Sequence, residues 1–347
     1  MSQRVYVGMS GGVDSSLTAA LLVEQGYQVV GVYMKNWTKD LPGMKCPWAE
    51  DLADAKRVAV QLGIDFKVFD FEKEYKQNVV DYMISEYQAG RTPNPDIMCN
   101  QEVKFKLFFE AAMQDGADLI ATGHYAATMN GQLLMAKDTN KDQTYFLYRV
   151  TKAALDKTLF PLGEFTKPEV RDMATARGLF TAGKKDSQGI CFVGKVGIRE
   201  FLSQYINTKP GDIIEKSSGK VLGRHDGAIF YTLGQRHGLD IGGGLPYYVV
   251  GKDMEQNQVF VTTDLNDESL WRSVVNLNNV HWIDKQPQEG QFQIRVRHRA
   301  PLVKADIAFS GSDELELDLH DQQRAIAAGQ SIVIYDGSTC LGGGIVA

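Results

Sequence analysis

Cysteine is scarce in this chain: four among 347 residues, at Cys46, Cys99, Cys191 and Cys340, with no CxxC spacing. That excludes a disulfide scaffold, and neither a zinc knuckle nor a thioredoxin-type dithiol can be read from the spacing, so no metal site is expected. Each cysteine is then a buried apolar residue or a reactive thiol. Long apolar runs are missing too: none approaches the ~18 residues of a membrane helix. The opening MSQRVYVGMSGG reads as a strand and a turn, without a signal region. A cytoplasmic protein with no membrane contact is the expectation. There is no basic excess, with 37 Lys and Arg against 43 Asp and Glu for a net charge of −6. This argues against a sequence-independent nucleic-acid coat protein but leaves local patches to be read. The Walker A signature GK[ST] and the dinucleotide signature GxGxxG are both absent.

What is present is ample core material, 44% hydrophobic residues, in a length that suggests two or three domains at ~100–200 residues each. The first third alternates strand and helix patterns. Strands are predicted at 3–8, 28–34, 66–71 and 117–122, with helices at 14–26, 49–63 and 104–114. The 28–34 segment, QVVGVYM, is a continuous apolar run after Gln28, as in a strand buried on both faces. The pattern is α/β, a doubly wound parallel sheet, and ligands of such sheets lie beyond the carboxyl ends of the strands. Glycine density rises after residue 200, and short alternating segments at 246–250 and 258–262 indicate a small β-rich domain. From about residue 270, turn-separated strands at 291–299, 302–309, 315–319, 331–335 and 339–346 read as a compact β-barrel. The expected domains are therefore 1–200, 201–268 and 269–347.

The most specific local signal is GMSGGVDSS at 8–16, which follows a strand and opens a helix. Gly11 and Gly12 let the backbone approach an anion, and Ser10, Ser15 and Ser16 offer hydroxyls. The helix N-terminus adds N–H groups and a favourable dipole. Asp14 is placed to cap the helix or to help hold Mg²⁺. A glycine turn capped by Ser and Asp is the bland alternative; strand placement and the cluster of small polar residues favour phosphate binding. SGGxDS resembles the pyrophosphate loop of the N-type ATP pyrophosphatases. That resemblance implies an ATP-pyrophosphatase domain in which Gly8, Met9, Ser10, Gly11, Gly12, Val13, Asp14 and Ser15 hold ATP. It also implies Mg²⁺-assisted cleavage between the α and β phosphates and adenylation of a substrate oxygen. Met34, ending the second strand, matches the adenine-packing position, and Gly123 matches a second approach to the nucleotide.

Two cysteines sit in polar, Gly/Pro-rich sequence, RTPNPDIMCNQEVKFK at 91–106 and KKDSQGICFVG at 184–194. Cys99 is expected just before a helix opening near 102–104, where the N-terminus, Lys104 and Lys106 would favour the thiolate. Lys184 and Lys185 precede Cys191. Cys46 and Cys340 read as buried. Taken in order, SGGVDSS, NPDIMCN, TGHYA, KDQTYFL, KDSQGICF and YTLGQRHGL resemble the tRNA-specific 2-thiouridylases over essentially the whole chain. The resemblance implies ATP-dependent replacement of the wobble-uridine C2 oxygen by sulfur in tRNAs for Lys, Glu and Gln. It makes Cys191 the persulfide carrier and Cys99 the second catalytic cysteine, the two ending as a disulfide. A sulfur donor, either a cysteine desulfurase or a relay protein, must then reload the enzyme. With the two thiols 92 positions apart, the 184–194 segment is expected to fold over the nucleotide as a flap.

The target base must leave the anticodon stack. The resemblance assigns Asn94, Pro95 and Asp96 to that base, with Asp96 also a candidate for general acid/base help; as sequence alone, the segment is a stiff turn. It gives His124, Lys141, Asp142, Gln143, Arg297, His298 and Gln330 as tRNA contacts. Period-2 alternation places Arg295, Arg297 and Arg299 on one strand face as a phosphate-binding stripe, or as a solvated ion-paired face. Where the family usually has Tyr this chain has His298, and His stacks less area than Tyr and titrates near neutrality. Two other readings compete. A small-molecule adenylating ligase would use the same loop but leaves the cysteine settings and arginine strand unexplained. A non-catalytic nucleotide-dependent RNA-binding protein would make both thiols dispensable.

Overall fold

The computed structural model describes residues 2–40, 46–185, 197–242 and 244–347. The chain opens with β1 (Arg4–Gly8), α1 (Val13–Glu24), β2 (Gln28–Lys35), α2 (Trp48–Leu62) and β3 (Asp65–Asp70). A helical run follows, from α3 (Glu72–Tyr75) through a π-helical stretch to α4 (Tyr82–Gln88). A second run joins α5 (Pro95–Met98), a π-helical Cys99–Leu107 and α6 (Phe108–Gln114). Then come β4 (Leu119–Thr122), β5 (Ala127–Met129), β6 (Gln132–Leu134), α7 (Thr144–Leu147), α8 (Lys152–Leu155), β7 (Thr158–Leu159) and α9 (Lys167–Ala176). Strands β3-β2-β1-β4-β7 form one parallel sheet. Val5, Tyr6 and Val7 are all fully buried, as the apolar texture of a strand covered on both faces requires.

The helix expected to open near 102–104 begins earlier, at Pro95. Asn94 is its N-cap, its side-chain oxygen accepting from the Asp96 N–H at 3.1 Å, and proline occupies the first helical position. Both are standard start signals, so the segment expected as a stiff turn is a first helical turn.

After α10 (Ile198–Leu202) the middle domain is a four-stranded sheet of β8 (Gly211–Glu215), β9 (Val221–His225), β10 (Tyr248–Asp253) and β11 (Gln258–Thr262). The last domain holds β12 (Trp271–Trp282), β13 (Gly290–Arg295), β14 (Val303–Phe309), β15 (Leu315–Arg324), β16 (Ser331–Asp336) and β17 (Thr339–Val346). Their order β12-β15-β14-β13-β16-β17 closes through β12–β17 into a six-stranded antiparallel barrel. Ile294, Leu317 and Ile332 are among the residues that fill it. Hairpin β5–β6 of the α/β domain extends this barrel's sheet, with Leu133 beside Cys340 on β17. The barrel is thus fixed to the domain that carries the phosphate loop. No helix among the described residues is long and apolar enough to cross a membrane.

Candidate active site

The phosphate loop runs from the end of β1 into α1. Ser15 Oγ accepts from the Ser10 N–H at 3.2 Å and lies 3.3 Å from Ser10 Oγ. The Gly12 carbonyl accepts from the Ser16 hydroxyl at 2.7 Å, so the loop is braced by its own serines. Gly12 is the N-cap and no side chain caps the helix. The first-turn N–H groups, which have no intrahelical acceptor, therefore face the loop. Gly11 has φ +76°, and a Cβ there would lie 2.4 Å from the Asp51 carbonyl oxygen. A Cβ on Gly123, just beyond β4, would meet Asp14 C and Ser15 N at 2.9 Å. The loop is held between α2 on one side and the end of β4 on the other. Met34, at the end of β2, lies so close to β1 that a Cβ on Gly8 would meet its Cε at 2.9 Å.

Asp14 does not cap the helix. Its carboxylate accepts from Lys167 Nζ at 2.7 and 2.8 Å and from the Tyr125 hydroxyl at 2.9 Å. Lys167 and Tyr125 were not among the sequence candidates; the Tyr in TGHYA was the available signal, while Lys167 arrives from α9, 153 positions away. Among the described residues no group of three His, Cys, Asp or Glu side chains could surround a metal ion.

Across β4 lies the second part of the site. Burial raises the Asp96 carboxyl above the ordinary aspartate value, and the Lys104 ammonium partly opposes this. Lys104 Nζ is 3.5 Å from His124 Nε2, and His124 Nδ1 is 2.7 Å from Thr122 Oγ1. An ammonium can only donate, so Nε2 is the acceptor and Nδ1 carries the hydrogen toward Thr122. Burial, then Lys104, holds His124 well below its usual value, so it is neutral at pH 7. Lys104, expected from the sequence as a neighbour of the Cys99 thiol, contacts His124 and acts on the Asp96 carboxyl through its charge. Cys99 is not at a helix N-terminus as expected. It lies beyond α5 in the run that starts at Pro95, is 4% exposed, and packs in the main core. Cys46 and Cys340 are buried. Cys191 and the expected flap lie outside the described residues, apart from Lys184 and Lys185. Lys184 pairs with Asp51 at 2.9 Å and Asp54 at 2.7 Å.

The expected RNA-contacting residues gather where the barrel meets the α/β domain. Gln143 accepts from the Tyr125 N–H at 2.9 Å, so Tyr125 links this region to Asp14. Lys141 is half-buried beside it. Asp142 corrects the expectation of an RNA contact: it is 1% exposed and pairs with Arg295 at 2.7 Å. It also accepts from the Ala136 N–H and the Thr144 hydroxyl, leaving it turned into the protein. The arginine stripe is corrected with it. Strand β13 ends at Arg295, which is buried over the Tyr335 ring. Arg297 and Arg299 leave the strand in an exposed turn, Arg297 donating to the Arg324 carbonyl and Arg299 to that of Asn140. Gln330 lies in the turn before β16, its side chain accepting from the Ala327 N–H at 3.2 Å.

His298 packs on Phe146, ring centres 4.5 Å apart, and on Tyr145. Burial, then Arg299 and Arg295, pushes it down to about 4, so it does not titrate near neutrality as expected from sequence. Its depressed value means the unfolded chain binds the proton more readily. The stability it contributes is present above 6.5 and is lost as pH falls toward about 4. Urea unfolding midpoints should therefore decline across that window, and less so in His298→Phe. Equal declines in the two proteins would refute this.

Three family models match in succession: a "tRNA methyl transferase HUP domain" at 3–195, a "tRNA methyl transferase PRC-barrel domain" at 199–263 and an "aminomethyltransferase beta-barrel domain" at 272–346. The chain is 48% identical to the tRNA-specific 2-thiouridylase MnmA of Methylobacillus flagellatus, over 100% of this chain and 99% of that one. It is 46% identical to the tRNA-specific 2-thiouridylase MnmA of Bacillus subtilis, over 99% and 94% respectively. Among solved structures, a 4-thiouridine synthetase in complex with RNA and bound ATP overlaps 58% of this chain and 50% of its own, at 18% identity and a TM-score of 0.40. That overlap is too loose to bear on function.

Proposed function

The chain belongs to the tRNA-specific 2-thiouridylase family, and from that premise we propose that it is an ATP-dependent tRNA sulfurtransferase acting on C2 of the wobble uridine in tRNAs for Lys, Glu and Gln. One observation supports this reading above the others. Gly123 packs on the first turn of the phosphate-loop helix, and its neighbour His124 contacts Lys104 of the helical run bearing Asp96 and Cys99. A nucleotide on the loop and a base on that helix would meet at the end of β4.

The chemistry needs both halves. The C2 oxygen of uridine is a poor leaving group. Attack of that oxygen on the α phosphorus of ATP expels pyrophosphate and leaves an adenylated base. The terminal sulfur of a Cys191 persulfide then attacks C2, and AMP departs with the former oxygen. Cys99 completes transfer by attacking the inner sulfur of Cys191, which leaves a Cys99–Cys191 disulfide for an external thiol to reduce. A cysteine desulfurase or a sulfur-relay protein reloads the persulfide. Asp14 is already held by Lys167 and Tyr125, so Mg²⁺ would be held chiefly by the ATP phosphates, where it would supply charge neutralisation. Lys104 and the loop N–H groups serve the same end on the protein side. Asn94 and Asp96 read the uracil edge. Lys141, Gln143, Arg297, His298 and Gln330 form the surrounding RNA surface, in which His298 acts as a neutral aromatic face rather than a cation.

Pyrophosphate release tests the adenylation half. It should require unmodified tRNA and fall to background without it; release driven by a small molecule in place of tRNA would favour a ligase. Asp96→Asn separates chemistry from folding. If Asp96 assists proton transfer, kcat falls by about 10²–10⁴ while the tRNA concentration at half-saturation changes little. A loss confined to tRNA affinity would make it a binding group only.

A further inference from the structure

A cavity of about 370 Å³ lies where all three domains meet, away from the phosphate loop. Its walls include Thr92 from the α/β domain, Thr232 and Lys252 from the middle domain, and Arg272, Val274 and Ile326 from the barrel. No Asp or Glu side chain lines it among the described residues. Lys252 Nζ donates to the Tyr231 carbonyl at 2.8 Å and makes no ion pair among the described residues. Burial alone brings its ammonium down to about 8, with no neighbouring charge contributing. Arg272 on the same wall is also without an acidic partner among the described residues. Ala347 lines the cavity too. Holding a half-buried ammonium against a carbonyl without a countercharge is unfavourable. The volume lies in the range of small-ligand sites, ~300–1,000 Å³.

We propose that this cavity is a second phosphate site, sized for one nucleotide, in which Lys252 and Arg272 receive the phosphate and Val274 and Ile326 receive the organic part. The phosphate is carried either by a free mononucleotide or by one nucleotide of bound RNA. Because the walls come from three domains, an occupant links the barrel and middle domain to the domain bearing the phosphate loop. The proposal does not depend on the thiolation reaction.

Lysine labelling reads it directly. The full-length protein is treated with a limiting dose of an acetylating reagent at pH 7.5, and Lys252 modification is followed by peptide mass spectrometry. Inorganic phosphate, AMP and unmodified tRNA are added in separate arms. Occupancy of four-fifths of the sites would slow Lys252 labelling about fivefold, and would raise the pH midpoint of labelling above about 8. Protection by AMP or phosphate identifies a free-ligand site; protection by tRNA alone identifies an RNA phosphate. Arg272→Ala, at an exposed position, should remove the protection. A Ser10→Ala/Ser15→Ala variant, weakened at the phosphate loop, should keep it. Labelling indifferent to all three probes overturns the proposal. So does protection that persists in Arg272→Ala, or that disappears with the loop serines.

Discussion

Asp142→Ala is expected to lower the unfolding free energy by about 3–5 kcal/mol, among the largest effects of any single substitution in this protein. The Asp142 side chain has no exposed surface and that of Arg295 is 6% exposed, so neither ion can be rehydrated without opening the structure. Removing the carboxylate leaves the guanidinium buried over Tyr335 with no countercharge. It also takes away the acceptor of the Ala136 N–H and the Thr144 hydroxyl. Thr144 in turn touches the Tyr335 hydroxyl, and Tyr145 and Tyr148 bond to Ser331, so the damage falls on the seam between barrel and α/β domain. Urea unfolding followed by tryptophan fluorescence checks it, since Trp271 and Trp282 lie on β12 of the barrel. The double variant Asp142→Leu/Arg295→Met should recover part of the loss, because an apolar pair is not left with an orphaned charge. A loss under about 1 kcal/mol would mean that the pair behaves as a solvated one.

Gly11→Ala is expected to cut ATP-dependent turnover by about 10²-fold while leaving the barrel's unfolding transition unchanged. Two constraints coincide at this residue. Its φ of +76° is unfavourable for any residue with a Cβ, and the Cβ would lie 2.4 Å from a backbone oxygen of α2. Backbone cannot rotate aside as a flexible side chain would. Relief must come from shifting the loop, and the loop positions the groups that would face the phosphates. Steady-state AMP release against ATP concentration separates the outcomes. A change in half-saturating ATP alone would indicate lost ground-state binding, and a fall in kcat would indicate a misplaced reaction centre. Wild-type kinetics would show that the loop does not position the nucleotide.

The parts of this molecule that could be read from sequence are those whose cause is local. Val5–Val7 and the 29–34 run are apolar at every position because the sheet is covered on both faces, and the phosphate loop announces itself by its glycines and serines. Long-range causes were invisible. Alternation along β13 put Arg295 with Arg297, but the barrel's outer face is covered there by the α/β domain. The countercharge arrives from Asp142, 153 positions earlier. Strand β12, WRSVVNLNNVHW, was not anticipated, since its asparagines disfavour a strand and pairing with β15 and β17 is what makes it one. The start of the Cys99 helix was misread for a different reason. Asn94 and Pro95 serve equally as turn or as helix-start residues, and only the hydrogen bond from the Asp96 N–H to Asn94 decides between them.

The most direct test of the central claim is sulfur incorporation into tRNA, followed as retardation on a mercury-containing gel. Purified protein is mixed with unmodified tRNA for Glu, Mg-ATP and a persulfide-generating donor, with Cys99→Ser and Cys191→Ser in parallel. A sulfurtransferase that uses both thiols gives a retarded tRNA band that needs ATP and both cysteines. It also gives a tRNA-dependent burst of pyrophosphate release that persists when either thiol is lost. A band that forms without ATP, or in which either serine variant matches the parent, would contradict this reading.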